Sequence, residues 1–152
     1  MQAEDFDMGL EISRLTRGDT AIGGVCAFAG LVRDFGGSAA SGGAMTLEHY
    51  PGMTEKALAE IEAQAQARWP LQESLIIHRY GRLEPGDNIV LVVAASAHRE
   101  AAFEACHFLI DWLKTKAPFW KLEETADGAH WVEAKSSDDV AADKWSRLKG
   151  KE

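Results

Sequence analysis

Between Ala97 and Lys114 the chain carries apolar residues on nearly every side of a helical projection. Ala101, Ala105, Phe108, Leu109 and Trp112 recur at helical spacing, while Phe103, Cys106 and Ile110 make the opposite side apolar as well. Such a helix persists only when other elements surround it, which predicts a central, buried helix. Ser96 is the predicted N-cap. The helix should stop before Pro118, because a proline disfavours helical geometry in the residue before it and donates no backbone hydrogen bond.

Around that helix the chain reads as strands and two further helices. Ala21 to Val32 is a predicted strand, and its many glycines point to close backbone approach or a bulge. The Gly- and Ser-rich run from Asp34 to Gly43 reads as a loop before a second strand, Ala44 to Tyr50, in which Met45, Leu47 and His49 alternate with Thr46 and Glu48. Tyr50-Pro51-Gly52 turns the chain into a helix with Met53, Ala57, Leu58, Ile61 and Ala65 on one face, stopped by Pro70. Leu75 to Tyr80 and Asn88 to Ala95 read as paired strands around Glu84-Pro85-Gly86-Asp87. Phe119 to Glu124 and His130 to Ala134 flank the hairpin signal Asp127-Gly128, and Ser136-Ser137-Asp138-Asp139 opens a short C-terminal helix. Strand pairs alternating with single helices favour an α+β fold over a doubly wound sheet.

Composition narrows the function. At 152 residues, one domain is expected. Sixteen Lys and Arg against 24 Asp and Glu give a net charge of −8, which repels a phosphate backbone and argues against nucleic acid. There is no apolar run of about 18 residues, and the acidic start Met1-Gln2-Ala3-Glu4-Asp5 lacks a signal pattern, so no membrane association and a cytoplasmic location are expected. Cys26 and Cys106, with apolar neighbours, suit reduced buried thiols better than a disulfide or a metal pair. The five histidines have no ligand spacing with each other or with the cysteines, and no metal site is expected.

In this acidic chain, cations gather at element ends. Arg33 leaves the Gly-rich strand, His98-Arg99 open a helix, and Lys114, Lys116 and Lys121 surround Pro118. Cations in a first helical turn are unfavourable by about 0.3 to 1 kcal/mol unless an anion sits among them, so His98-Arg99 either recognise a phosphate or carboxylate or point into solvent. Lys114 and Lys116 are explained by the dipole at the end of a helix. Lys121 lies between Trp120 and Leu122, and alternation sends it to the other face of the strand. There it is a solvated residue or a partly desolvated amine fit for proton transfer or charge stabilisation.

Four motifs carry a family resemblance: Thr46-Leu47-Glu48-His49-Tyr50-Pro51-Gly52-Met53, Ile77-His78-Arg79, Ser96-Ala97-His98-Arg99, and Leu113-Lys114-Thr115-Lys116-Ala117-Pro118-Phe119-Trp120-Lys121. In this order they closely resemble the large, catalytic subunit of molybdopterin synthase. The resemblance runs from about Val25 to Ala134, and residues 1–20 and 136–152 add little to it.

The resemblance implies an α/β-hammerhead type of α+β fold with mixed or antiparallel strands. It implies a sulfurtransferase that converts cyclic pyranopterin monophosphate into molybdopterin, taking sulfur from the C-terminal Gly-Gly thiocarboxylate of a small ubiquitin-like carrier subunit. A homodimer with one carrier at each end, a heterotetramer, is implied too, and no cofactor. Residue by residue, Lys114 and Lys121 match the catalytic lysines, and Arg33, His98 and Arg99 match positions that hold the anionic pterin. Leu31, Val32, Leu122 and Glu123 are pocket-wall candidates beside them. Lys135 stands where an arginine is common at the rim contributed by the neighbouring subunit; lysine keeps the charge but loses bidentate phosphate geometry. The competing reading is a non-enzymatic dimeric module that binds a Gly-Gly tail. Arginine at positions 114 and 121 discriminates the two, since docking needs only charge whereas proton transfer needs the amine.

Overall fold

A computed structural model describes residues 1–34, 43–125, 127–132 and 136–147. Its elements, in order, are α1 (Met8–Thr16), β1 (Gly24–Leu31), β2 (Ala44–His49), α2 (Met53–Arg68), β3 (Leu71–His78), β4 (Gly81–Leu83), β5 (Asn88–Ser96), α3 (Arg99–Thr115), β6 (Phe119–Thr125), β7 (Gly128–Val132) and α4 (Ser136–Arg147). The strands form two antiparallel sheets, β1-β5-β3 and β4-β2-β6-β7. This is the expected α+β arrangement.

β5 is the centre of the first sheet, and its uninterrupted apolar run is explained by cover on both faces. Val90, Val92 and Ala94 pack with Leu58 and Ile61 of α2 and Phe108 and Leu109 of α3. Leu91 and Val93 pack with Ile77 and, from the N-terminal segment, Phe6, Ile12 and Leu15. Burying each such side chain contributes about 1.5 to 3 kcal/mol. Sequence reading gave the first twenty residues no role, yet α1 covers this second face. The Asp7 carboxylate caps α1, accepting from the Leu10 N–H at 2.9 Å.

Several expectations are corrected. Ser96 does not cap α3. It is the buried last residue of β5, and its hydroxyl donates to the Pro70 carbonyl at 2.8 Å, while His98 occupies the N-cap without a side-chain capping bond. Phe103 is 61% exposed, so α3 is buried over a broad face and not all round. Met53 is exposed, and Thr54 takes its place inside α2. The strand ending at Tyr80 stops at His78, after which β4 pairs with β2. The second strand of the last hairpin begins at Gly128, whose φ of 115° suits glycine at the turn.

The glycines of β1 do mark close approach. A Cβ on Gly23 would collide with the Ala97 carbonyl oxygen, and one on Gly24 would lie 3.3 Å from the Arg99 Cα. The start of α3 therefore rests directly on the backbone at the start of β1. At the other end the β1–β5 register shifts between Gly30 and Leu31, a bulge that turns the chain toward Val32 and Arg33.

Candidate active site

A cavity of about 800 Å³ opens where the end of β1, the end of α3 and the β6 strand converge. Three short-range constraints shape the α3–β6 corner. Lys116 N–H donates to the Trp112 carbonyl at 2.9 Å, closing the helix, and Phe119 N–H donates to the Ala117 carbonyl at 2.8 Å across Pro118. The Thr54 hydroxyl donates to the Pro118 carbonyl at 3.2 Å and accepts from the Tyr50 N–H at 3.1 Å. The Tyr50-Pro51-Gly52-Met53 motif thus fixes the bend between Lys114 and Lys121. Glu55 completes the clamp, accepting from the Gly52 N–H at 2.6 Å and lying 3.3 Å from the His49 Nε2.

Lys114, exposed in the last turn of α3, and Lys121, half-buried on β6, both line the cavity. Along β6, Lys121 pairs with Leu47 and lines the cavity with Glu123, and Leu122, paired with Thr46 and Trp131 in the register between them, does not; Trp120, expected on the other face with Leu122, lines the cavity too. Leu31, Val32 and Arg33 line it from the β1 bulge. Three cations thus face one cavity, set against Asp34 and Glu123.

Two groups of predicted residues lie apart from it. Leu122 does not line the cavity. His98 and Arg99, both exposed, stand at the opposite end of α3 from Lys114, roughly 24 Å away at about 1.5 Å per residue. Lys135 lies outside the described residues, as does most of the Asp34 to Gly43 loop.

The cavity also includes residues that sequence reading gave no role, chiefly His78, Met45 and Ile110, and Phe119 and Trp120 line it as well. His78 was visible as a polar residue ending an apolar strand. Burial, with the Lys121 and Lys114 charges adding to it, lowers its pKa to about 4. Among the described residues no three His, Cys, Asp or Glu side chains gather as a metal site, and no helix is long and apolar enough to cross a membrane. Cys106 is buried and Cys26 half-buried, both are free thiols, and burial pushes the Cys106 thiol up to about 12.

An α+β scaffold that brings two lysines and an arginine to the wall of one cavity concentrates positive charge there. The MoaE protein family model matches residues 1–116. A molybdopterin synthase catalytic subunit from Pseudomonas aeruginosa is 56% identical over 145 residues, covering 95% of this chain and 96% of the relative. The structure of a molybdopterin biosynthesis MoaE protein from Burkholderia ambifaria superposes with a TM-score of 0.81 at 49% identity, over 95% of each chain. A Staphylococcus aureus molybdopterin synthase crystal structure gives 0.77 at 30% identity, over 86% of this chain and 93% of that one. The chain belongs to the MoaE family of molybdopterin synthase catalytic subunits.

Proposed function

We propose that this chain transfers sulfur from the C-terminal thiocarboxylate of a small ubiquitin-like carrier to cyclic pyranopterin monophosphate, building the dithiolene of molybdopterin in the cytoplasm. The observation that carries the reading is the pair Lys114 and Lys121, held on either side of the Pro118 bend and lining one cavity. Both reactants are anions, and their approach is opposed by Coulomb repulsion that nearby ammonium groups offset. For each sulfur, a carbon–sulfur bond forms at the pterin side chain as a carbon–oxygen bond there breaks, its oxygen leaving as water or staying on the phosphate, while a water oxygen replaces sulfur on the carrier's terminal carbonyl, leaving a carboxylate. The two lysines stabilise the oxyanion that develops there, and Glu123 orients one of them. Arg33 holds the pterin's phosphate, with Leu31 and Val32 as the wall beside it.

His98 and Arg99 enter through a second copy of the chain. A rigid helix keeps them about 24 Å from their own Lys114, too far for one small substrate to bridge. In a symmetric homodimer the start of one α3 completes the cavity at the end of the other, and its unpaired first-turn N–H groups favour the phosphate. Lys135 serves the same rim, and one carrier docks at each end of the dimer with its Gly-Gly tail in the cavity.

The test is reconstitution. Purified protein, the pterin precursor and a thiocarboxylated carrier should yield dithiolene product, and a bulky residue at the carrier's penultimate glycine should abolish it. Tight carrier binding with no product would leave a binding module and sink the proposal.

A further inference from the structure

His78 ends β3 and stands in the wall of the same cavity, although the charge chemistry above makes no use of it. The ring is tightly held. Only 6% of the residue is exposed, and the imidazole stacks on Phe119 with centroids 4.1 Å apart and planes 28° from parallel. Its Nδ1 lies 2.9 Å from the Arg79 carbonyl oxygen. A carbonyl oxygen only accepts, so Nδ1 carries the proton and Nε2 the lone pair. Burial, the Lys121 and Lys114 ammonium groups and the chain's amino terminus all disfavour a second proton, against the opposing pull of the Arg79 carbonyl. The ring is neutral at neutral pH.

Phe119 and Lys121 are two positions apart on β6 and share one face of that strand. The Lys121 side chain therefore leaves the strand beside the stacked rings, and of the two lysines its charge acts on His78 the more strongly. We propose that His78 is a positioning residue whose Nε2 accepts a hydrogen bond from the Lys121 ammonium and holds that group toward the incoming anion. A neutral acceptor suits this task. An imidazole nitrogen orients the ammonium by accepting from one of its donors and, unlike a carboxylate such as that of Glu123, subtracts nothing from its charge. What the ammonium then does rests on the sulfur-transfer reading; that His78 orients it does not.

The experiment separates the two. In lysine-labelled protein the Lys121 ammonium is identified by nitrogen NMR from its loss in Lys121→Arg. It is then followed in His78→Phe, His78→Gln and His78→Asn, alongside kcat and KM of the reconstituted enzyme. Glutamine brings an oxygen to about the Nε2 position, whereas asparagine reaches only the Nδ1 position. The ammonium signal should be sharp in wild type, lost in the Phe and Asn variants and restored by Gln. The kcat should follow, falling at least about tenfold in Phe and Asn with KM within about twofold, and recovering in Gln. Equal loss of activity in all three with an unchanged ammonium signal would make His78 a packing residue and overturn the proposal. So would an unchanged signal and rate in His78→Phe. Imidazole nitrogen shifts of the wild-type protein need no variant to fold: a ring protonated on Nε2 at pH 7 overturns the proposal outright. Wild-type enzyme that makes no product would instead sink the sulfur-transfer reading, and the two sets of spectra would still decide on His78.

Discussion

Replacing Lys121 by alanine removes an ammonium group from a cavity that must hold two anions at once. Two unit charges about 4 Å apart interact by about 4 kcal/mol at an effective dielectric of about 20. Lys121 is half-buried, and Lys114 and Arg33 remain nearby. Water and those remaining cations screen part of the loss, leaving about 2.7 kcal/mol, or about a 100-fold fall in rate. The interaction strengthens as negative charge develops on the carrier's carbonyl oxygen, so kcat and kcat/KM should fall together while KM for the pterin stays nearly constant. Lys121 points into a cavity and not into the packed interior, so Tm should move by no more than a few degrees. The assay is dithiolene formation from purified precursor and thiocarboxylated carrier, with Lys121→Arg run beside it. Turnover within about threefold of wild type in the alanine variant would refute the reasoning, because no positioned charge in the transition state is lost so cheaply.

Other consequences are independent of that assay. The His78 pKa of about 4 against 6.5 in an unfolded chain means that the unfolded state binds more protons between those values, so stability should fall as pH drops from 6.5 to 4, by at most about 3 kcal/mol. Chemical denaturation across that window should show a steeper pH dependence for wild type than for His78→Phe. Leu109→Ala, at a fully buried position between α3 and the first sheet, should cost about 2 to 5 kcal/mol in the same measurement. Light scattering without the carrier should report twice the chain mass. Mixing Arg99→Ala with Lys121→Ala subunits should restore part of the activity that each lacks alone, since one of the two cavities in a mixed dimer is then intact; no recovery after verified subunit exchange counts against the shared site.

Much of this architecture was legible in the chain because periodicity and punctuation coincide. Pro70 and Pro118 stop α2 and α3, Asp127-Gly128 makes its hairpin, and Leu122 stays off the cavity wall between Lys121 and Glu123, although Trp120 lines it. The errors fall where tertiary partners decide. Ser96 is a good cap by type, but its hydroxyl finds the Pro70 carbonyl from a distant part of the chain. α1 was overlooked although Asp7 is a proper cap, because its two inward residues, Ile12 and Leu15, are too few to announce a helix by period alone. In the site, Arg33, Lys114 and Lys121 stand out as cations at element ends. His78 does not, because its importance comes from Phe119 folding onto it from 41 positions away. Helix length also counted for nothing in reading His98 and Arg99 as companions of Lys114, and it is what separates them.

That separation makes α3 a ruler as well as a core element. Its two ends carry different parts of the charge set, and both are pinned, one against Gly23 and Gly24 and the other at the Pro118 bend. In a symmetric pair of chains the helix length sets the distance between the two cavities, and its winding sets the direction in which each end presents its side chains. Inserting one residue in the middle would lengthen it by about 1.5 Å and rotate one end against the other by about 100°. Every residue type in the site would still be present, yet the two halves would no longer face a common centre. If the two ends meet across a dimer as proposed, the register of α3 is constrained as tightly as the identity of the lysine near its end.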